Sequence, residues 1–91
     1  MKFVIAWTNT RAKTPEDQKA LLQAYEAWTP PDGISEFVQR ADGQGGGLII
    51  EADDVVTLSK SIAPFVPWLD YEIIPVLDIG SAVEIVAANL K

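Results

Sequence analysis

Glu51 follows the apolar run Leu48-Ile49-Ile50 and is the only carboxylate on that strand pattern. It shares alternation parity with Gly47 and Ile49. If that face is enclosed, the carboxylate is partly desolvated, which suits it to general-base work. At a solvated strand end, or beside Arg40, the same side chain has no chemistry to do. Trp7, Asn9, Trp68 and Tyr71 join it as candidate lining residues for a flat ligand, while core packing would use Trp7, Trp28 and Trp68 equally well. The chain has no histidine and no cysteine. That removes the commonest general base near neutral pH, any Ser–His or Cys–His pair, the commonest zinc ligand and sulfur-ligated metals.

No cofactor and no metal are therefore expected. Oxygen-only ligation of Mg²⁺ or Ca²⁺ lacks a motif, because Glu51, Asp53 and Asp54 do not have the spacing of a calcium loop. Gly45-Gly46-Gly47 opens a strand pattern, whereas a phosphate loop precedes a helix N-terminus with a basic residue nearby, so the run reads as a flexible turn and a site of close backbone approach. Glu36 and Arg40, four apart on one strand, share a face with Ile34 and Val38 and suit an ion pair between two copies.

The elements that must position these residues can be read in order. Lys2–Asn9 alternates and is rich in aromatic and β-branched residues, which predicts a first strand. Thr14 as N-cap, Pro15 at the first helical position and Glu16-Asp17 in the first turn start a helix. Its stripe of Leu21, Ala24, Tyr25 and Trp28 should face the core, and Pro30-Pro31 ends it. Ile34–Ala41 and Leu48–Ala52 read as a hairpin joined by the glycine-rich turn. Asp53 or Asp54 caps a second helix carrying Val55, Leu58, Ile62 and Val66. Leu69–Ile79 is the fourth strand, and Gly80-Ser81 caps a short final helix with Val83, Val86, Ala87 and Leu90 on one face. Pro75 lacks the N–H of a central strand, which places the fourth strand at an edge. With right-handed crossovers this predicts a ferredoxin-like βαββαβ fold of the α+β class, an antiparallel four-stranded sheet in the order 4-1-3-2. An α+β meander with the helices packed elsewhere is the alternative.

Ninety-one residues, nearly half of them apolar, are enough for one domain, 1–91. Thirteen acidic against seven basic side chains give a net charge of −6, which disfavours nucleic acid and anionic membranes as partners. No run is long enough for a signal peptide or a bilayer span, so a cytoplasmic location is the default expectation. Both faces of the sheet are apolar, and the helices cover only one. The other presents roughly 300 Å² in projection, more than a monomer ordinarily exposes, so a homodimer through the sheet face is expected.

Trp7-Thr8, Pro30-Pro31-Asp32-Gly33, Gly46-Gly47, Ile50-Glu51-Ala52-Asp53-Asp54, Trp68 and Ile74-Pro75-Val76-Leu77-Asp78 span nearly the whole chain. In these pieces the sequence resembles the dimeric α/β-barrel superfamily, and within it the uncharacterised family named domain of unknown function 3303. That family's second strand tends to end in Trp-His, where this chain has Arg40-Ala41; a role resting on that histidine is missing here. The resemblance implies two ferredoxin-like subunits packed sheet to sheet as a dimeric α/β barrel. It leaves two readings open: a binder of an apolar or aromatic small molecule, or cofactor-independent enzyme of oxygenase or isomerase type, and a non-catalytic homodimeric interaction or structural module. Haem degradation is not implied, because Asn9 and Trp68 have no histidine to accompany them.

Overall fold

A computed structural model of the chain describes residues 1–90. Strand β1 (Lys2–Asn9) leads through a tight loop to helix α1 (Pro15–Ala27). The hairpin β2 (Ile34–Gln39) and β3 (Gly45–Glu51) follows, then α2 (Val55–Ile62), a 3-10 turn (Ala63–Phe65), β4 (Leu69–Val76) and α3 (Ile79–Asn89). All strand pairs are antiparallel and the order is β2-β3-β1-β4. Pro75 thus lies on an edge strand.

The expected dimeric α/β barrel is corrected by this sheet. It is open: β2 and β4 are its two edges and do not pair with each other, so nothing closes it into a barrel. What stands is an α+β fold of βαββαβ-like topology with a third helix at its end.

One face of the sheet builds the core. Phe3 and Ile5 on β1 sit opposite Ile50 and Leu48 on β3, and α2 lays Leu58 and Ile62 over them. These six side chains are buried, and Trp7, Ile34, Tyr71 and Ile73 pack around them in part. The α2 N-terminus is fixed by Asp54, whose Oδ1 accepts the Thr57 N–H at 2.7 Å. That bond holds the Asp54 carboxyl below its ordinary value.

Four local features depart from the sequence expectation. The glycines at 45–47 lie within β3 itself, since a Cβ at Gly46 would collide with both the Trp7 ring and the Val38 carbonyl. The strand β2 ends at Gln39, two residues early, because Arg40 turns to donate its N–H to the Gly45 carbonyl at 2.8 Å. Within β2 a bulge at Ser35 sets both Ile34 and Phe37 on the core side, opposite Ile50 and Leu48, and puts Glu36 and Val38 on the other. Finally, β4 stops at Val76 and α3 begins at Ile79, with Gly80 inside its first turn. Asp78 precedes it with its carboxylate taken up by Lys2.

The molecule is long for its mass. Its extents are 57 × 25 × 18 Å and its radius of gyration is 15.8 Å, where a packed chain of this length has about 12 Å. The excess comes from α3, which projects from the end of β4 with no buried residue.

Candidate functional site

Helix α1 does not settle on the sheet. It is tied at both ends and stands off in the middle. At its leading end, the Asn9 amide grips the backbone of Ala12: Oδ1 accepts the Ala12 N–H at 2.9 Å and Nδ2 donates to the Ala12 carbonyl at 3.2 Å. Arg11 fastens the same loop to the other side of the cleft. Its guanidinium donates to the carbonyls of Pro67, Val66 and Leu69 and pairs with Asp70 at 3.0 Å. At the trailing end, the Trp28 indole N–H donates to the Ser61 carbonyl at 2.9 Å, and its ring meets Phe65 edge-on at 5.3 Å. Between these ties Leu22 and Tyr25 are half exposed, and none of the helix is buried. The α1 stripe expected in the core instead roofs a space.

That space is a cleft of about 590 Å³ between α1 and the core face of the sheet. A chain of aromatic contacts runs through it. Tyr71 and Trp7 are 6.5 Å apart, Trp7 meets Phe37 edge-on at 5.6 Å, Phe37 meets Trp28 at 6.2 Å, and Tyr25 lies 6.2 Å from Trp28. Leu21, Leu48, Ile62 and Leu69 complete the apolar wall. Its polar members are Asn9, Gln18, Gln39 and the two tyrosines, and no lining residue is charged. Ala12 holds the Asn9 amide in place and leaves it one N–H and one lone pair, so Asn9, Gln18, Gln39 and the phenols can orient a ligand. Burial pushes the Tyr71 phenol up to about 12, so near neutral pH it is a protonated hydrogen-bonding group.

Of the candidates named from sequence, Trp7, Asn9 and Tyr71 come together here. Trp68 does not line the cleft; its carbonyl accepts the N–H groups of Thr10 and Arg11 at 3.2 and 3.1 Å. Glu51 is on the opposite face of the sheet, with 62 % of its side chain exposed and Oε1 2.8 Å from the amino group of Met1. The enclosed, partly desolvated setting expected for it is not found. Arg40 pairs with Asp42 on its own turn, and Glu36 takes no part in that pair. Phe37, Tyr25, Gln18 and Gln39 were not among the sequence candidates. Simple alternation assigns Phe37 away from Ile34; only the bulge brings both to one face. Among the described residues no three carboxylates converge to hold a metal ion, and no helix is long and apolar enough to cross a membrane.

Fold and cleft together define a small α+β protein with an open antiparallel sheet and an uncharged aromatic cleft under its first helix. The family profile described as Domain of unknown function (DUF3303) matches residues 1–90, and the chain belongs to that family. A search of curated proteins finds no match to it.

Proposed function

We propose that the chain binds a neutral, flat, mainly apolar small molecule in the cleft beneath α1. One observation carries this reading: an aromatic cleft of about 590 Å³ with no charged lining residue. Its size is within the roughly 300–1,000 Å³ of small-molecule sites, and its makeup is theirs, apolar walls with a few polar groups. A charged ligand would lose its hydration there with no counter-charge to replace it. The aromatic walls favour a ring system, and Gln18, Gln39 and Tyr71 offer both donors and acceptors for its polar substituents. Binding is favoured over catalysis of the oxygenase or isomerase type because the cleft offers no carboxylate and its half-buried phenol stays protonated.

N-phenyl-1-naphthylamine, a neutral aromatic amine, tests this. It should bind at micromolar concentration, gain fluorescence and quench the tryptophans. Phe37→Ala and Tyr25→Ala should each weaken it about tenfold, as an aromatic contact worth about 1.5 kcal/mol implies. Glu51→Gln should leave binding unchanged. Undiminished binding in both aromatic variants would place the probe elsewhere and end the proposal.

A second reading, compatible with the first, rests on the other face of the sheet. Val4, Ala6, Ile49 and Ile74 form an apolar surface there that no helix covers. This supports a homodimer through the sheet face.

A further inference from the structure

The uncovered sheet face and the projecting helix are two halves of one contact. Helix α3 is apolar nearly all round: Ile79, Val83, Val86 and Leu90 form one stripe, Ile85 lies off it, and all are at least half exposed. Glu84 is the only charged residue between Ile79 and Leu90. A helix of that composition is stable when buried. Its own sheet and helices do not bury it, since it extends away from them.

We infer that α3 lies across the open sheet face of a second copy of this chain, and that the two copies exchange their α3 helices reciprocally. The inference rests on the sheet-face homodimer proposed above and names what covers the face. Three observations favour this occupant over a second sheet.

The first is charge. The apolar row Ile49-Val4-Ile74 is rimmed by Glu36, Glu72, Glu51 and Asp70; Glu51 pairs with the Met1 amino group and Asp70 with Arg11, so among the described residues Glu36 and Glu72 are the acids of this rim without a cation. Two such faces pressed together would set acidic rims against each other. The stripe of α3 brings no charge.

The second is shape. Ala6 on β1 is directly opposite Gly47 on β3. Between Val38 on β2 and Glu72 on β4 these two residues raise no side chain beyond a methyl, a low strip beside the Ile49-Val4-Ile74 row that suits a convex helix better than a second flat sheet.

The third is area. The eleven residues of α3 make a rod about 16 Å long and about 10 Å across. Laid on a sheet, it removes roughly 400–500 Å² of accessible surface from each side. One such contact is below the size of a stable interface. Two, related by a two-fold axis, reach roughly 1,600–2,000 Å², within the range of specific dimers.

The absence of native cysteine makes the test direct. Light scattering at tens of micromolar should give twice the chain mass for the native protein. Val86→Glu on α3 and Ile74→Glu on the sheet face should each weaken the dimer at least a hundredfold, with far-UV circular dichroism confirming that both variants fold. Mixed and oxidised, a Val86→Cys variant and an Ile74→Cys variant should give a disulfide between unlike chains. If Ile74→Glu disperses the dimer and Val86→Glu leaves it whole, the helix exchange is wrong and the sheet-face dimer stands. A dimer that survives both substitutions, or a native protein that is monomeric, overturns both.

Discussion

Gly46 is the residue on which the shape of the cleft depends most directly. An added Cβ there would strike the Trp7 ring on one side and the Val38 backbone carbonyl on the other. The carbonyl belongs to the β2–β3 ladder, so relief requires that ladder to shift as well as the ring. Trp7 is in turn held by Tyr71 and Phe37. Overpacking of this kind costs about 1–3 kcal/mol, and two fixed obstacles put Gly46→Ala near the upper end, about 3 kcal/mol. The smaller unfolded-state entropy of alanine returns about 0.5–1 kcal/mol, leaving a net loss of about 2 kcal/mol. Gly47→Ala is the matched control, one residue along the same strand, with both changes made in the Ile74→Glu background so that no partner lies over Gly47. Its Cβ would meet only the Ile5 carbonyl, at 3.4 Å, so it should be neutral or gain about 0.5 kcal/mol. Urea unfolding followed by far-UV circular dichroism at one protein concentration measures both. The Gly46→Ala midpoint should fall while the slope stays constant, and its melting temperature should drop by about 8–16 °C. Trp7 emission should shift as the ring leaves its place, and probe binding should weaken with it. Equal stability of the two variants would refute the argument that Trp7 and the β2 backbone together require glycine at this position.

Tyr71 should titrate far above an ordinary tyrosine when followed by absorbance at 295 nm, because burial pushes it up to about 12. The folded state then holds this proton more tightly than the unfolded chain, so its stabilising contribution is complete below pH 10 and is lost as pH rises from about 10 to 12. Tyr71→Phe should abolish that segment of the stability profile, and an unchanged profile would show the phenol to be solvated. Arg11→Met should destabilise by about 1–2 kcal/mol, since charge-assisted hydrogen bonds to backbone carbonyls are lost from a side chain that water half reaches. Arg11→Lys should recover little of this, because an ammonium cannot span three carbonyls as the planar guanidinium does; a lysine variant as stable as the native protein in urea would contradict that.

The parts of the fold governed by local chemistry were readable from the sequence. Pro75 placed β4 at an edge, Thr14 and Pro15 started α1, and the alternation of Phe3, Ile5 and Trp7 marked β1. What escaped was set by contacts between distant segments. The period of Leu21, Ala24, Tyr25 and Trp28 shows that one face of α1 is apolar, but says nothing of the distance at which Arg11, Asn9 and the Trp28–Ser61 bond hold it. Phe37 was hidden by a bulge at a serine, which carries no strong local signal. Glu51 lies away from the cleft, because alternation gives its parity without saying which parity faces the helices. The barrel failed for a related reason: alternation along each strand shows two apolar faces but says nothing of whether the edge strands β2 and β4 meet.

The bulge at Ser35 and the proline at position 75 are on opposite borders of the sheet, and together they limit how it can be extended. A foreign strand docking beside β4 would find no N–H at Pro75. One docking beside β2 would meet a distorted ladder flanked by Glu36 and Gln39. Neither border is a template for strand addition, the route by which small sheets polymerise into fibres. What remains is the contact of helix with sheet face, and only its reciprocal form is finite: a one-way exchange would leave a free face at one end and a free helix at the other, so the two-fold symmetry of the proposed dimer is also what would keep it from growing.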